Sequence, residues 1–315
     1  MDHRDLRGYV TWQRLRRLVQ SEPREVLAQG QAALRLADPA LHPRIFAVAA
    51  SALRATDQLD AALALLEQAL DDAKALGDLW AEADILQRQG VALENLGEIE
   101  KALQKARAAT GIHASLGNTA GTGRAILDQG IFYYHLGRLD EAAFMFRRAL
   151  GFLPHTETNH RLAAFSNLAQ VYMEEGRLRL ALRCARAATL VTGAGRLTQA
   201  ESLETQGRLA LELGRFGEAE RAFRDAAEIF RVRGAYLSCA YSTIWLCKVL
   251  TLRGALAEVQ ELARASASLI GHLKQSRFAA GAVAELAAQG AAGRAITTTF
   301  LERLQGEIER SRGAT

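Results

Sequence analysis

A glycine returns at nearly constant spacing through the middle of this 315-residue chain. It sits in the short turns Leu96-Gly97-Glu98, Leu136-Gly137-Arg138, Glu175-Gly176-Arg177, Leu213-Gly214-Arg215 and Arg253-Gly254-Ala255, so the successive gaps are 40, 39, 38 and 40 residues. Each glycine is preceded and followed by an apolar-periodic segment of about sixteen residues. Glycine suits the residue after a helix C-terminus, because it enters the left-handed conformation without a Cβ clash. The unit is therefore helix, tight turn, helix, and a loop this short makes the two helices antiparallel neighbours. Self-similarity at such a period marks an array of stacked units rather than one globular core. Composition agrees. Most apolar residues are Ala and Leu, which favour helix. Three of the four prolines (Pro23, Pro39, Pro43 and Pro154) fall in the first 43 residues.

The residues around each glycine resemble the tetratricopeptide repeat (TPR) family. That pattern has a small residue seven before the glycine, a large one four before, Ala five after, a large residue nine after and Ala twelve after. Around Gly137 these are Gly130, Tyr133, Ala142, Phe146 and Ala149. Around Gly214 they are Gly207, Ala210, Ala219, Phe223 and Ala226, with similar sets around Gly97 and Gly176. Small residues such as Gly130 and Ala142 let the paired helices approach, and Tyr133 and Phe146 are expected to fill the gaps to the next unit. Fainter units surround Asp57 and Gly254. The period is longer than the family's usual 34, and resembles the variety of kinesin light chains and bacterial regulators. The resemblance implies an all-α, right-handed α-solenoid of stacked antiparallel helix pairs, a TPR-like superhelix. Residues 1–315 then form a single solenoid: N-terminal cap helices within 1–42 (about Arg4–Val19 and Glu25–Ala37), about six repeats over 43–272, and C-terminal caps within 273–315 (about Lys274–Ala291 and Ala295–Ser311). The Ala-rich stretch from Phe278 to Ala292 is expected to be a loosely packed helix.

Catalytic chemistry has no visible carrier. No nucleophile elbow or His-Glu-x-x-His pattern occurs, so no enzyme is expected. Of the seven histidines, His155 and His160 flank Glu157 near a helix junction, but no further ligand pattern supports a metal. No cofactor is implied. The segment from Gly117 to Arg124 is Gly-rich but lacks the Gly-Lys-Ser/Thr ending of a phosphate loop, and is read as an inter-unit turn. Cys184, Cys239 and Cys247 form no disulfide framework, and the last two read as buried apolar residues. Net charge is only +4. Arginines cluster at Arg14, Arg16 and Arg17 and at Arg177, Arg179, Arg183 and Arg186, yet acidic residues interrupt any continuous basic face, which argues against nucleic acid. No signal peptide and no apolar run of ~18 residues is visible, so a cytoplasmic protein without membrane attachment is expected.

In the TPR family the first helix of each unit lines a concave face that holds a partner. Carried over, that implies a partner-binding set of Gln87, Val91, Arg124, Leu127, Ile131, Tyr134, Asn167, Gln170, Met173, Arg208, Tyr241 and Lys248. Ile131, Tyr134 and Met173 form an apolar centre, although Ile131 and Met173 are equally read as packing between units. The resemblance thus implies a protein or peptide partner. Two readings stand: an adaptor or scaffold, or a peptide- or ligand-sensing regulatory protein that acts on a transcription or signalling partner in trans. The Lys/Asn/Arg clamp of the chaperone-binding members does not line up here, although Asn167 occupies one of its positions.

Overall fold

The computed structural model describes residues 12–15, 18, 23–56, 58–273 and 276–313. The expected first cap helix lies largely outside them. The described residues are helices and short connections, in two compact units, 1–154 and 155–314.

The first unit holds α1 (Pro23–Leu36), α2 (His42–Ala55), α3 (Leu59–Ala75), α4 (Leu79–Asn95), α5 (Ile99–Ser115), α6 (Thr119–His135) and α7 (Leu139–Phe152). The pairs α2/α3, α4/α5 and α6/α7 are antiparallel hairpins. The first helices also touch one another, α2 to α4 and α4 to α6, so they form a row. The second unit holds α8 (Thr158–Glu174), α9 (Leu178–Thr189), α10 (Arg196–Glu212), α11 (Phe216–Val232), α12 (Tyr236–Leu252), α13 (Leu256–Ala265), α14 (Arg277–Ala291) and α15 (Thr298–Gly313). Each unit is an all-α solenoid segment of stacked helix pairs.

The turns follow from their glycines. Gly97 has φ +77° and Gly137 φ +70°. Behind Gly137, Gly137 N donates to Tyr134 O at 2.9 Å and Arg138 N donates to Tyr133 O at 2.9 Å. This pair of hydrogen bonds, of the Schellman type, satisfies carbonyls of the last turn of the helix. Gly77, Gly117 and Gly234 carry the same geometry at the junctions between pairs. From Gly77 to Gly137, and again from Gly214 to Gly254, chain direction therefore reverses about every twenty residues through equivalent joints.

Packing between paired helices uses glycine opposite phenylalanine. A Cβ on Gly130 would meet Phe146 Cε1 at 2.5 Å, and one on Gly207 would meet Phe223 Cζ at 2.9 Å. Phe146 and Phe223 are fully buried. Phe146 thus packs onto Gly130 within its own pair, rather than chiefly filling the gap to the next unit, because the missing Cβ leaves the space there. Tyr133 does reach the neighbouring pair, where its hydroxyl accepts from Arg107 Nη2 at 2.5 Å. The Ala-rich α14 is closely packed, contrary to expectation. Its Gly290 lies where a Cβ would be 2.8 Å from Ala263 Cβ of α13.

The segment read as a turn from Gly117 to Arg124 is a turn only as far as Asn118. Asn118 caps α6, its Oδ1 accepting from Gly121 N at 2.9 Å. Gly121 and Gly123 belong to the helix, and a Cβ on Gly123 would stand 2.8 Å from Leu153 Cγ. Close approach to neighbours overrides glycine's poor helix propensity here.

Candidate functional site

The row α2–α4–α6 frames the site of the first unit. A cavity of about 220 Å3 is lined by Ala50, Ser51 and Arg54 of α2, Leu66 of α3, Asp84, Gln87, Arg88, Val91 and Ala92 of α4, and Arg124 and Asp128 of α6. Three predicted residues, Gln87, Val91 and Arg124, come together there. Of the rest of that set in this unit, Leu127 is 3% exposed and belongs to the core, while Ile131 and Tyr134 are half-buried on α6 beyond the cavity. The Tyr134 ring is tilted against that of His135, centroids 5.8 Å apart.

A chain of hydrogen bonds fixes the polar wall. Asn118 Nδ2 donates to His113 Nδ1 at 3.1 Å, His113 Nε2 donates to Gln87 Oε1 at 3.0 Å, and Gln87 Nε2 donates to Asp128 Oδ2 at 2.9 Å. The proton on His113 is assigned to Nε2 because the Gln87 carbonyl can only accept. Burial, with help from Arg124, holds the His113 pKa below its usual value, which favours this neutral ring. Asp128 is pushed up to about 7, chiefly by burial and further by Glu94, against the pull of the Gln87 hydrogen bond and Arg124. Its carboxyl therefore changes charge near neutrality.

Between α4 and α2, Arg88 Nε pairs with Asp84 Oδ2 at 2.9 Å and its Nη1 donates to Ser51 Oγ. Arg54 has no ion pair among the described residues. Burial and the nearby Arg88 charge lower its pKa, and Glu94 offsets only part of this. The reading from sequence missed Ser51, Arg54, Asp84, Arg88, Asp128 and His113 as site residues. A signal was present: Arg54, Arg88 and Arg124 fall 34 and 36 residues apart, one in each successive first helix.

In the second unit the predicted set divides. Asn167, Gln170 and Met173 are half-buried on α8, and Arg208 on α10 lies over the Trp245 ring at 5.7 Å. Tyr241 and Lys248 are engaged by the chain's own α15. Tyr241 Oη donates to Glu309 Oε1 at 2.7 Å, and Lys248 Nζ pairs with Glu302 Oε1 at 2.9 Å. Tyr241 is 3% exposed, and burial pushes its phenol up to about 12. The physical reason is the apolar sequence of α12 on all sides, which must be covered. Leu301, Leu304 and Ile308 of α15, all fully buried, provide that cover. As the structure stands, these two residues face the C-terminal helix and not an open groove.

No cluster of His, Cys, Asp and Glu able to hold a metal occurs among the described residues, and none of their helices is long and apolar enough to cross a membrane. His160 Nδ1 pairs with Glu157 Oε2 at 2.7 Å instead.

No protein-family model and no curated protein matches the chain. Solved structures match its fold. A Rap protein complexed with competence and sporulation factor superposes with TM-score 0.65 at 14% identity, over 97% of this chain and 87% of that one. The Rap conjugation gene regulator of plasmid pLS20, in complex with the Phr* peptide, gives 0.57 at 18% identity, over 90% and 77%. NprR in complex with its cognate peptide NprX gives 0.56 at 14% identity, over 80% and 73%. The fold is of the tetratricopeptide-repeat type. In TPR terms α2, α4 and α6 are the first helices of three consecutive repeats, and the cavity opens on the side that they share.

Proposed function

We propose that this TPR-type chain is a non-enzymatic protein-interaction module, with residues 43–272 as repeats and 1–42 and 273–315 as caps. It holds an extended segment of a partner protein or a peptide along α2, α4 and α6. The observation that carries this reading is the cavity that three successive first helices share, lined by polar groups and by Ala50, Leu66, Val91 and Ala92, of which Val91 is half-buried and the others buried. Placed polar groups fix the orientation of what they bind, and the apolar surface beside them adds affinity. Gln87 is held in one orientation by His113 and Asp128, so little side-chain freedom is lost on binding. The peptide complexes of the Rap regulator and of NprR support a peptide-sized occupant.

A photo-crosslinking residue placed at Val91, at Gln87 and, as control, at exposed Lys101 on α5 tests this in lysate of the source organism. Adducts of one defined partner at the first two positions and none at the third are expected. Equal labelling at all three, in protein with unchanged helical content, refutes the placement.

The second reading, a peptide-sensing regulatory protein acting in trans, is favoured by one observation: α15 already covers α12 in the second unit. A helix held by the ion pair Lys248–Glu302 and the bond Tyr241–Glu309 is an element whose docking a ligand could bias.

A further inference from the structure

The polar cavity of the first unit has an unbalanced charge. Its lining holds three guanidinium groups, Arg54, Arg88 and Arg124, against two carboxyl groups, Asp84 and Asp128. Arg88 is neutralised by Asp84. Asp128 is turned toward the Gln87 amide. Arg54 faces the same space with no ion pair among the described residues, and burial and the Arg88 charge oppose its charged form more than Glu94 supports it. Placing like charges in a partly desolvated wall is unfavourable unless an anion completes the site. At about 220 Å3 the space is smaller than the ~300–1,000 Å3 of a pocket for a whole small molecule. It fits one side chain or one chain end.

We infer that this cavity is a subsite for a carboxylate, from an Asp or Glu side chain or a C-terminus of the bound segment, seated against Arg54 and within reach of Arg88 and Arg124. This rests on the reading of the α2–α4–α6 face given above and adds the chemistry of what that face selects. Guanidinium is suited to the task, since its planar fork meets a carboxylate through two parallel hydrogen bonds.

Occupancy is coupled to protons through Asp128. The charged and titratable groups around it are Glu94, Asp84 and Arg88 on α4, Arg124 on α6, Arg54 on α2, and His113 on α5 acting through the neutral Gln87 amide. With Asp128 ionised the lining carries one net positive charge, and with it protonated, two. Because its carboxyl titrates at about 7, an acidic ligand binds more tightly as pH falls from 8 to 6, while the ligand's own carboxylate stays ionised. By reciprocity, binding draws a proton onto Asp128.

The experiment selects random heptapeptides displayed on phage against the immobilised full-length protein at pH 6.5. The leading peptide is then synthesised in four forms, with its acidic residue or the amide in its place, and with a free or amidated C-terminus. Each is titrated calorimetrically at pH 6 and pH 8. The expected outcome is enrichment of acidic peptides and a loss of about tenfold or more on removing the relevant carboxylate. Arg54→Gln makes the acidic and amide forms bind equally. Wild type binds about fivefold more tightly at pH 6 than at pH 8, and Asp128→Asn binds alike at both. Sensitivity to the side-chain amide or to the amidated terminus identifies which carboxylate is held. Selected peptides that lack any requirement for a carboxylate, lose binding with Val91→Arg and ignore Arg54→Gln would overturn the anion subsite and leave the α2–α4–α6 face standing. Selected peptides insensitive to both substitutions would overturn both, as would the recovery of no binding peptide.

Discussion

Replacing Gly130 by Ala isolates the packing that joins the two helices of a repeat. The added Cβ would stand 2.5 and 2.6 Å from Cε1 and Cδ1 of Phe146, where carbon atoms normally rest ~3.5–4.0 Å apart. Phe146 is 1% exposed, so the ring cannot swing aside into solvent. Overpacking of this kind costs about 1–3 kcal/mol. Alanine's better helix propensity returns about 0.8–1.0 kcal/mol. With the ring this close, the upper half of the packing range applies, and the net loss expected is about 1–2 kcal/mol. Gly111→Ala is the matched control. It lies inside α5, exposed, with nothing within 4 Å of an added Cβ, so it receives the propensity gain alone. In a unit of this size about 1 kcal/mol moves the melting temperature by about 2–4 °C. Thermal melts followed by circular dichroism, together with hydrogen exchange of the α6 and α7 amides, measure both variants, since a repeat array need not unfold in one step. Gly130→Ala as stable as Gly111→Ala would refute the argument that Phe146 is seated on a bare backbone. Gly130→Ala with Phe146→Leu is expected to recover part of the loss.

The other perturbations are simpler. Tyr241→Phe removes a hydrogen bond to the Glu309 carboxylate, worth about 1.5–3 kcal/mol when the partner is charged, so α15 should exchange its amides faster while α5 and α6 are unchanged. Asp128 has a folded-state pKa raised from 3.8 to about 7. Between those values the folded chain holds a proton that the unfolded chain has released, so stability is highest in acid, falls as pH rises through that window and is level above it; Asp128→Asn should flatten the slope in urea melts between pH 4 and 8. Among the three thiols, burial raises Cys239, and raises Cys247 to about 12. A thiol-reactive dye should therefore label the half-buried Cys184 first, and the other two only after denaturation.

The helix pairs were legible from sequence because their signal is local. A glycine after each first helix needs a positive φ, and Gly97, Gly137, Gly176, Gly214 and Gly254 all have it. What escaped was set by neighbours distant in sequence. Gly121 and Gly123 look like loop residues until His113 and Leu153 are seen to occupy the space of their missing side chains. Gln87, Val91 and Arg124 were marked by their repeat positions, whereas Arg54 sits near the end of its helix, Arg88 in the middle and Arg124 near the start. They converge only because the helices lie side by side with an offset, so a line across the face cuts each helix at a different height. Tyr241 and Lys248 occupy equivalent repeat positions, but the fate of that face depended on where the last helix lands.

The equivalence of the joints constrains how such a chain changes length. In the first unit, turns within a pair and between pairs share one glycine geometry, at Gly77, Gly97, Gly117 and Gly137 alike. A recombination event could therefore cut and rejoin at any of them without local strain. Removing a single helix would nevertheless invert the direction of everything after it and exchange the first-helix side with the opposite one. Related chains of different length are accordingly expected to differ by even numbers of helices, and an engineered deletion from Leu79 through Asn118 should leave a foldable chain where a deletion from Leu79 through Glu98 does not.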